Sequence, residues 1–289
     1  MEQPAITVSG LQKSYGDTAV LRGLTFSVSK GEIFALLGAN GAGKTTTLEC
    51  MEGLRKYDGG YIRIEGSIGV QLQSASLPGN VKALEAARLF AKWNGVPVSL
   101  EDCRKFGVEE FGGKLYKELS TGQKRRLHLL LALTGGPDVV FLDEPTAGLD
   151  VEGRIAFHQE IRRLKSQGKT IVLASHDMAE VEELCDRIAI LKEGGIAFLG
   201  TAQELTSVLK SRHRIHVRCS RPLPPENLGL CTPGGGEQGY QVFESEDLAG
   251  ALNELSALAR AEGISILDLY TERASLEQRF LDISKGGIS

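Results

Sequence analysis

The chain has 289 residues, a length that allows about two domains. Its 33 basic and 37 acidic residues give a net charge of −4, and 42% of the residues are hydrophobic against 24% charged. This balance is that of an ordinary soluble protein, and it argues against a disordered chain and against a general nucleic-acid coat.

No apolar stretch approaches the roughly 18 residues that a membrane span needs. The first residues, Met1–Pro4, have neither the basic nor the apolar region of a signal peptide. The five cysteines are scattered and form no Cys-x-x-Cys pair, which indicates reduced thiols rather than a disulfide framework or a zinc ribbon. We therefore expect a cytoplasmic protein that reaches a membrane only through a partner.

Strands and helices alternate from residue 5 to about residue 210. Several strands are uniformly apolar, which favours an α/β domain with a largely parallel, buried sheet. Residues 81–118 are mostly helical. The predicted strands are Ala5–Val8, Ala19–Val28, Ile33–Leu37, Tyr61–Ile64, Ser67–Leu72, Asp138–Leu142, Thr170–Ala174, Ile188–Leu191 and Ile196–Phe198, and the other predicted helices are Gly43–Gly53, Ser120–Leu133, Val151–Ser166 and Ala202–Lys210.

The composition changes after about residue 212. Prolines and glycines concentrate in Arg221–Gly239, which predicts a loop or linker. Around it the pattern predicts strands at Arg214–Cys219, Tyr240–Phe243 and Ile264–Tyr270, with helices at Leu248–Ala261 and Ser275–Ile283. We therefore predict a main domain over residues 1–212 and a small accessory α+β domain over residues 213–289.

The most informative stretch is a glycine-rich loop between a strand and a helix. It matches the pattern G-x-x-x-x-G-K-[ST], in which backbone N–H groups and the helix N-terminus cradle phosphate oxygens. Lys44 is expected to reach the β- and γ-phosphates, and the Thr45 hydroxyl to ligate Mg²⁺. The loop alone does not separate an ATPase from a GTPase or a small-molecule kinase. Its residues are Gly38, Ala39, Asn40, Gly41, Ala42, Gly43, Lys44, Thr45 and Thr46.

A second motif is the apolar strand Val139–Leu142, which ends in two carboxylates. The carboxyl edge of such a sheet is where open α/β sheets bind ligands. Asp143 fits the role of holding Mg²⁺, and Glu144 fits that of a general base for the attacking water.

A third motif is Leu119–Gln123, in which Ser120 and Gln123 form a capping-box pattern before a basic, apolar helix. The phosphate loop, Leu119–Gln123 and Asp143-Glu144, in that order, resemble the ATP-binding subunit of an ATP-binding-cassette (ABC) transporter, whose signature Leu-Ser-Gly-Gly-Gln lies between the other two motifs. Thr121 stands where that signature has its first glycine, but it removes neither the Ser120 hydroxyl nor the Gly122 N–H.

The resemblance covers Ala5 to about Lys210 and implies the P-loop fold of this family, with a mixed sheet core, an antiparallel β subdomain and a helical subdomain. It implies ATP and Mg²⁺ as cofactors. By the same resemblance, Tyr15 stacks on adenine, Gln73 is directed at Mg²⁺ and the attacking water, and His176 contacts the γ-phosphate. Gln71 is a rival for the role of Gln73. Asp150 belongs to the loop through which two nucleotide sites communicate.

The resemblance also implies a head-to-tail pair of subunits. Each ATP then lies between the phosphate loop of one subunit and Ser120, Gly122 and Gln123 of the other. Separate transmembrane permease subunits are expected to dock near residues 73–117, which would place the chain on the inner face of the membrane. Nucleic acid is not expected as a partner, because the basic residues Lys124–Arg126 suit a solvated helix face or a contact to the second subunit.

We expect the transporter to be an exporter, because the signature and the tail Ser275–Leu281 resemble exporter subunits. Two alternatives stay open: an importer subunit of the same superfamily, and a soluble cassette ATPase that acts on ribosomes or DNA. Both half-sites look intact, so the pair could be a homodimer or a heterodimer.

Overall fold

The computed structural model describes residues 3–71, 77–207, 213–225, 228–237, 239–272 and 280. The chain divides into two compact units, one ending at Thr201 and the other beginning at Ala202. This division places the helix that follows Thr201 in the second unit, whereas the sequence placed it in the first.

The first unit contains two sheets and a set of helices. In its described residues the strands are β1 (Ile6–Tyr15), β2 (Thr18–Val28), β3 (Ile33–Gly38), β4 (Gly59–Ile64), β5 (Ile68–Gln71), β6 (Val139–Asp143), β7 (Thr170–Ala174), β8 (Arg187–Lys192) and β9 (Gly195–Gly200). The helices are α1 (Lys44–Met51), α2 (Ala83–Trp93), α3 (Leu100–Lys105), α4 (Val108–Phe111), α5 (Thr121–Leu133), α6 (Val151–Ser166) and α7 (Met178–Leu184).

The larger sheet has the strand order β5-β6-β7-β3-β8-β9. Its first five strands run parallel, and β9 is antiparallel to β8. Every residue of β3, β6 and β7 is buried. Because both faces of this sheet are covered, these strands are continuous apolar runs rather than alternating ones, with polar residues only at the start of β7 (Thr170) and the end of β6 (Asp143).

The smaller sheet is antiparallel, with the order β2-β1-β4. It shares one hydrophobic core with α1 and one face of the larger sheet. Phe26 of β2 stacks on Phe34 of β3 with their ring centroids 5.4 Å apart. Helix α5 packs against β5, and α2 packs against α4 and α5. These layers hold the ends of β3, β6 and β7 in fixed positions.

The second unit has its own antiparallel sheet, in the order β11-β12-β10-β13. A separate core that includes Ile215, Phe243 and Leu255 joins this sheet to its long helix. The described elements are α8 (Ala202–Ser207), β10 (His213–Cys219), β11 (Thr232–Glu237), β12 (Tyr240–Ser245), α9 (Leu248–Ala261) and β13 (Ile266–Glu272).

The prediction that Arg221–Gly239 is only a loop is wrong, because β11 lies within it. Strand β11 is at the sheet edge and pairs only with β12 among the described strands. An edge strand tolerates Pro233 because its N–H groups need not all enter a ladder, and the register shifts between Pro233 and Gly235. The predicted helix Ser275–Ile283 falls, apart from Phe280, outside the described residues.

None of the helices in the described part of the chain combines the length and apolar character that crossing a bilayer requires.

Candidate functional site

The site forms where three neighbouring parallel strands end. Asp143 of β6 is in register with Ala174 of β7, and Leu36 of β3 is in register with the same Ala174. The loops that follow these strands therefore leave the sheet side by side at its carboxyl edge. This edge is the position at which open α/β sheets bind ligands.

The loop after β3 carries the phosphate-binding pattern. Gly41 and Gly43 have φ values of 82° and 104°, which residues with a side chain rarely adopt. A Cβ on Gly43 would lie 2.6 Å from Cδ2 of Leu21, so alanine there would require that side chain to move in addition to the strained φ. The N–H of Ala42 donates to the carbonyl of Ala39 at 3.1 Å, which closes the turn before α1.

Lys44 is the first residue of α1 and its side chain is folded back over the loop. Its Nζ donates to the Gly38 carbonyl at 2.7 Å and to the Ala39 carbonyl at 3.4 Å. Burial lowers the pKa of Lys44, and the charges of Glu144 and Asp143 oppose that shift. The ammonium is thus held at the mouth of the loop beside two carboxylates.

Thr45 and Asp143 bring two oxygens together, because the Thr45 hydroxyl donates to Oδ2 of Asp143 at 3.2 Å. Burial raises the pKa of Asp143, and the hydrogen bond from Thr45 opposes that shift. Hydroxyl and carboxylate oxygens are hard ligands of the kind that Mg²⁺ prefers.

Glu144 and His176 form a hydrogen-bonded pair, with Nδ1 of His176 2.7 Å from Oε2 of Glu144. The side chain of Glu144 is 12% exposed and that of His176 is 72% exposed. Glu144 has a φ of 49°, a left-handed conformation that non-glycine residues seldom adopt. Its N–H donates to the Ala174 carbonyl at 2.9 Å, which holds this strained turn against β7.

Tyr15 ends β1 and is 42% exposed. The guanidinium of Arg55 lies 5.3 Å from the ring centroid and Nζ of Lys13 lies 5.6 Å from it. Tyr15 shares one open cavity of about 360 Å³ with the phosphate loop and Glu144. The described residues that line this cavity are Tyr15, Val20, Asn40, Gly41, Gly43, Lys44, Thr45, Thr46 and Glu144.

Ser120 and Gln123 lie at the start of α5 and do not line that cavity. The predicted capping box is present: the Gln123 N–H donates to Oγ of Ser120 at 3.2 Å, and the Ser120 N–H donates to Oε1 of Gln123 at 3.0 Å. Next to this helix start runs the Gly148–Asp150 loop, since a Cβ on Gly148 would lie 3.2 Å from Cγ2 of Thr121 and one on Gly122 would lie 3.8 Å from Cδ2 of Leu149.

Asp150 caps the next helix, because its Oδ1 accepts the N–H of Gly153 at 2.8 Å. Asp150 and Ser120 are both exposed. The helix start at Ser120 and the loop that ends at Asp150 therefore form a continuous exposed strip.

Gln73 falls outside the described residues. Its rival Gln71 is 1% exposed, and neither atom of its amide has a hydrogen-bond partner within the described part of the chain. Gly69, two residues earlier on the same face of β5, lies directly beneath α5, since a Cβ on it would be 2.0 Å from the Ala132 carbonyl oxygen. Gln71 therefore belongs to the α5 side of the sheet.

Arg125 of α5 has a place that the sequence did not predict. It is half-buried, burial lowers its pKa, and the charges of Glu144 and Asp143 oppose that shift. It therefore does not lie on a fully solvated face. The sequence shows that Arg125 lies in the first turns of a capped helix. It does not show which face of that helix is directed toward Glu144 and Asp143.

Comparisons with known proteins all point to one family. Residues 21–147 match the family described as ABC transporter. The chain is 34% identical to the daunorubicin resistance ATP-binding protein DrrA3 of Streptomyces coeruleorubidus, over 98% of this chain and 97% of that protein. It is 31% identical to the linearmycin resistance ATP-binding protein LnrL of Bacillus subtilis, over 96% of this chain and 98% of that protein.

Among solved structures, one described as the ATP-binding subunit of an ABC transporter is 28% identical and aligns with a TM-score of 0.65, covering 71% of this chain and 92% of that one. The predicted fold class, an α/β P-loop cassette with a mixed sheet, an antiparallel β subdomain and a helical subdomain, is confirmed.

Proposed function

Because the chain belongs to the family of ABC transporter ATP-binding proteins, we propose that it hydrolyses ATP at the phosphate loop and uses that reaction to drive a membrane transporter. ATP binding and hydrolysis are the activity of this family. One observation carries the assignment of residues. Three separate segments, which carry Lys44, the adjacent Asp143 and Glu144, and His176, converge beside one cavity at the sheet edge.

Each side chain suits one part of the reaction. The loop N–H groups and Lys44 bind the phosphate oxygens and stabilise the charge that develops on them. Glu144 accepts a proton from the water that attacks the γ-phosphorus, while the bond from that phosphorus to the bridging oxygen breaks. His176, held by Glu144 at 2.7 Å, is placed to donate a hydrogen bond to the γ-phosphate. Tyr15 offers its exposed ring to the adenine.

The donor set fits Mg²⁺, with Thr45 and Asp143 as its protein ligands and Gln73 as a further one. In the described residues no group of three His, Cys, Asp or Glu side chains could hold a metal by itself. Since Mg²⁺ at nucleotide sites takes few protein ligands and completes its shell with phosphate oxygens and water, two or three such ligands suffice. The ion would supply positive charge to the phosphates.

The signature residues point to a second subunit. Ser120 and Gln123 do not line the cavity that holds Lys44. Ser120 lies in the exposed strip with Asp150, and Gln123 beside it is partly exposed. We propose that this strip covers the nucleotide of a second cassette, in a head-to-tail pair that ATP stabilises and hydrolysis loosens. The helix N-terminus and the Ser120 hydroxyl suit a γ-phosphate presented from the other side.

The transport partner is proposed to be a separate permease that docks near residues 73–117, which would hold the chain at the cytoplasmic face of a membrane. The names of two relatives over nearly the full length, both resistance proteins, support export rather than import. The unit that begins at Ala202 is proposed to regulate contact between cassettes or with the permease, since none of the assigned ATP residues lies in it.

A mixing experiment tests the shared site. Lys44→Ala removes the lysine contact to the phosphates bound by the same chain. Ser120→Arg instead disrupts the helix start that this chain is proposed to place over the nucleotide of its partner. Each variant alone should be inactive. An equal mixture should regain about a quarter of the wild-type rate, because half the pairs are mixed and one of their two sites is intact. A mixture as inactive as its components would contradict the head-to-tail arrangement.

A further inference from the structure

Glu180 of α7 is a buried carboxylate beside the site that the mechanism above does not use. At 1% exposure it is the most buried acidic residue of the described chain. Burial raises the pKa of Glu180, and the hydroxyls of Ser175 and Thr146 oppose that shift. A carboxyl group kept in such surroundings costs free energy unless its partners are well placed.

Those partners adjoin the Glu144–His176 pair. Ser175, which directly precedes His176, donates its hydroxyl to Oε2 of Glu180 at 2.7 Å. The same Ser175 oxygen accepts the N–H of Asp177 at 3.0 Å, so it fixes the backbone on both sides of His176. Thr146 follows Glu144 by two residues and is 5% exposed. Glu180 thus contacts the segments that carry both members of the pair.

The second oxygen of Glu180 faces α6. Nε2 of His158 lies 3.7 Å from Oε1 of Glu180, and neither atom has a hydrogen-bond partner within the described part of the chain. A hydrogen bond needs about 3 Å, so an approach of less than about 1 Å between α6 and α7 would join them. The contact is therefore sensitive to a small movement between these helices.

Two further contacts tie the same helices together nearer the surface. Nη1 of Arg154 lies 2.6 Å from Oδ2 of Asp177, and Nδ1 of His158 lies 3.0 Å from Oε2 of Glu183. Asp150 is the cap of α6, and Asp177, the cap of α7, directly follows His176. The helix pair thus connects the exposed strip to the catalytic pair.

We propose that Glu180 is a positioning residue for ATP hydrolysis, which holds His176 against Glu144 through Ser175 and links that pair to α6 through His158. The proposal rests on the proposed function, since it assumes that Glu144 and His176 act on ATP. Glu180 itself touches neither nucleotide nor water in this account. Its effect should therefore appear in turnover and not in nucleotide affinity.

The test measures kcat, KM for ATP and thermal midpoint of the full-length chain. Glu180→Ala should lower kcat about tenfold or more, because the Ser175 hydroxyl loses its buried acceptor, while KM changes less than about threefold. Glu180→Gln keeps an acceptor for the Ser175 hydroxyl without adding a buried charge, so it should stay within about threefold of wild type. Glu182→Ala, an exposed carboxylate of the same helix, is the control and should behave as wild type.

Ser175→Ala provides a second test that leaves Glu180 in place, which matters if Glu180→Ala does not fold. It should lower kcat about tenfold, with KM again nearly unchanged. Wild-type kcat in either folded variant would overturn the proposal, as would a Glu180→Gln variant as slow as Glu180→Ala. If the wild-type chain hydrolysed no ATP, the proposed function itself would fail instead. If Glu144→Gln and His176→Ala both hydrolysed ATP normally, the roles assigned to these two residues would fail, whatever Glu180 does.

Discussion

Glu52, directly after α1, shows how one buried residue makes stability depend on pH. Its side chain is 7% exposed, and neither carboxylate oxygen has a hydrogen-bond partner in the described structure. Burial, with the charges of Asp143 and Glu49, raises the pKa of Glu52 from 4.5 to about 7. The unfolded chain loses this proton near pH 4.5, whereas the folded protein keeps it up to about pH 7.

The protein should therefore lose stability as the pH rises from 4.5 to about 7, by at most about 3 kcal/mol from this group. Below pH 4.5 both states are protonated and the penalty is absent. Glu52→Gln should remove this dependence and be more stable than wild type at pH 8, with Glu182→Gln on the surface as the control. Urea unfolding at several pH values measures the effect. Equal pH slopes for wild type and Glu52→Gln would show that Glu52 stays ionised in the folded protein.

At the residue scale, the sequence predicted the groups that belong to spaced motifs. These groups lie at or after the carboxyl ends of parallel strands, which bring them to one edge of the sheet. They are Lys44, Thr45, Asp143, Glu144 and His176. Their roles in catalysis stay a prediction until they are tested. The places of Arg125 and Glu180 could not be predicted, because they depend on how one helix is turned toward its neighbours. No spacing rule in a single sequence supplies that rotation.

At the element scale, the fully buried strands and the capped helices were the easiest to predict. The predicted helix Val151–Ser166 and strand Thr170–Ala174 are present with those bounds. Helix α7 was missed because it is only seven residues long. Its signals were present, since Met178, Val181 and Leu184 recur every third residue and are buried, and Asp177 caps the helix by accepting the N–H of Glu180 at 3.1 Å. Strand β11 was missed because its pairing with β12 outweighs the poor strand propensity of its glycines and proline.

The contact between β5 and α5 yields a prediction for these elements. A Cβ on Gly69 would lie 2.0 Å from the backbone oxygen of Ala132, which cannot move without shifting α5. Gly69→Ala should therefore lower the free energy of unfolding by about 3 kcal/mol or more. Gly113→Ala is the matched control, since nothing lies within 4 Å of a Cβ there. If the thermal melts of both variants coincided with that of wild type, α5 would shift to accommodate the added methyl group without loss of stability, and the prediction would be wrong.

At the scale of the whole molecule, the change in composition near residue 212 predicted a second domain. The structure divides at Thr201 and Ala202, and each unit has a core of its own. A sequence shows where prolines and glycines accumulate, but it does not show which core a short helix joins. The division falls before helix α8, earlier in the chain than the change in composition indicated.

A chain that ends at residue 212 should bind ATP within about threefold of the full-length chain, because the assigned nucleotide contacts all precede Ala202. The effect of the truncation should appear instead in the dependence of ATPase activity on protein concentration. Equilibrium titration with a fluorescent ATP analogue measures the affinity. A folded truncation that bound no nucleotide would mean that the second unit belongs to the site.

The central claim is that this chain hydrolyses ATP with Glu144 as the base, at a phosphate loop built around Lys44. The most direct measurement is steady-state ATPase activity and ATP affinity of Glu144→Gln beside those of Lys44→Ala. Glu144→Gln should lose turnover by about a hundredfold or more while its affinity for ATP stays close to wild type, because the amide cannot accept the water's proton but the loop is unchanged. Lys44→Ala should lose the affinity itself. Turnover by Glu144→Gln at the wild-type rate would contradict the claim.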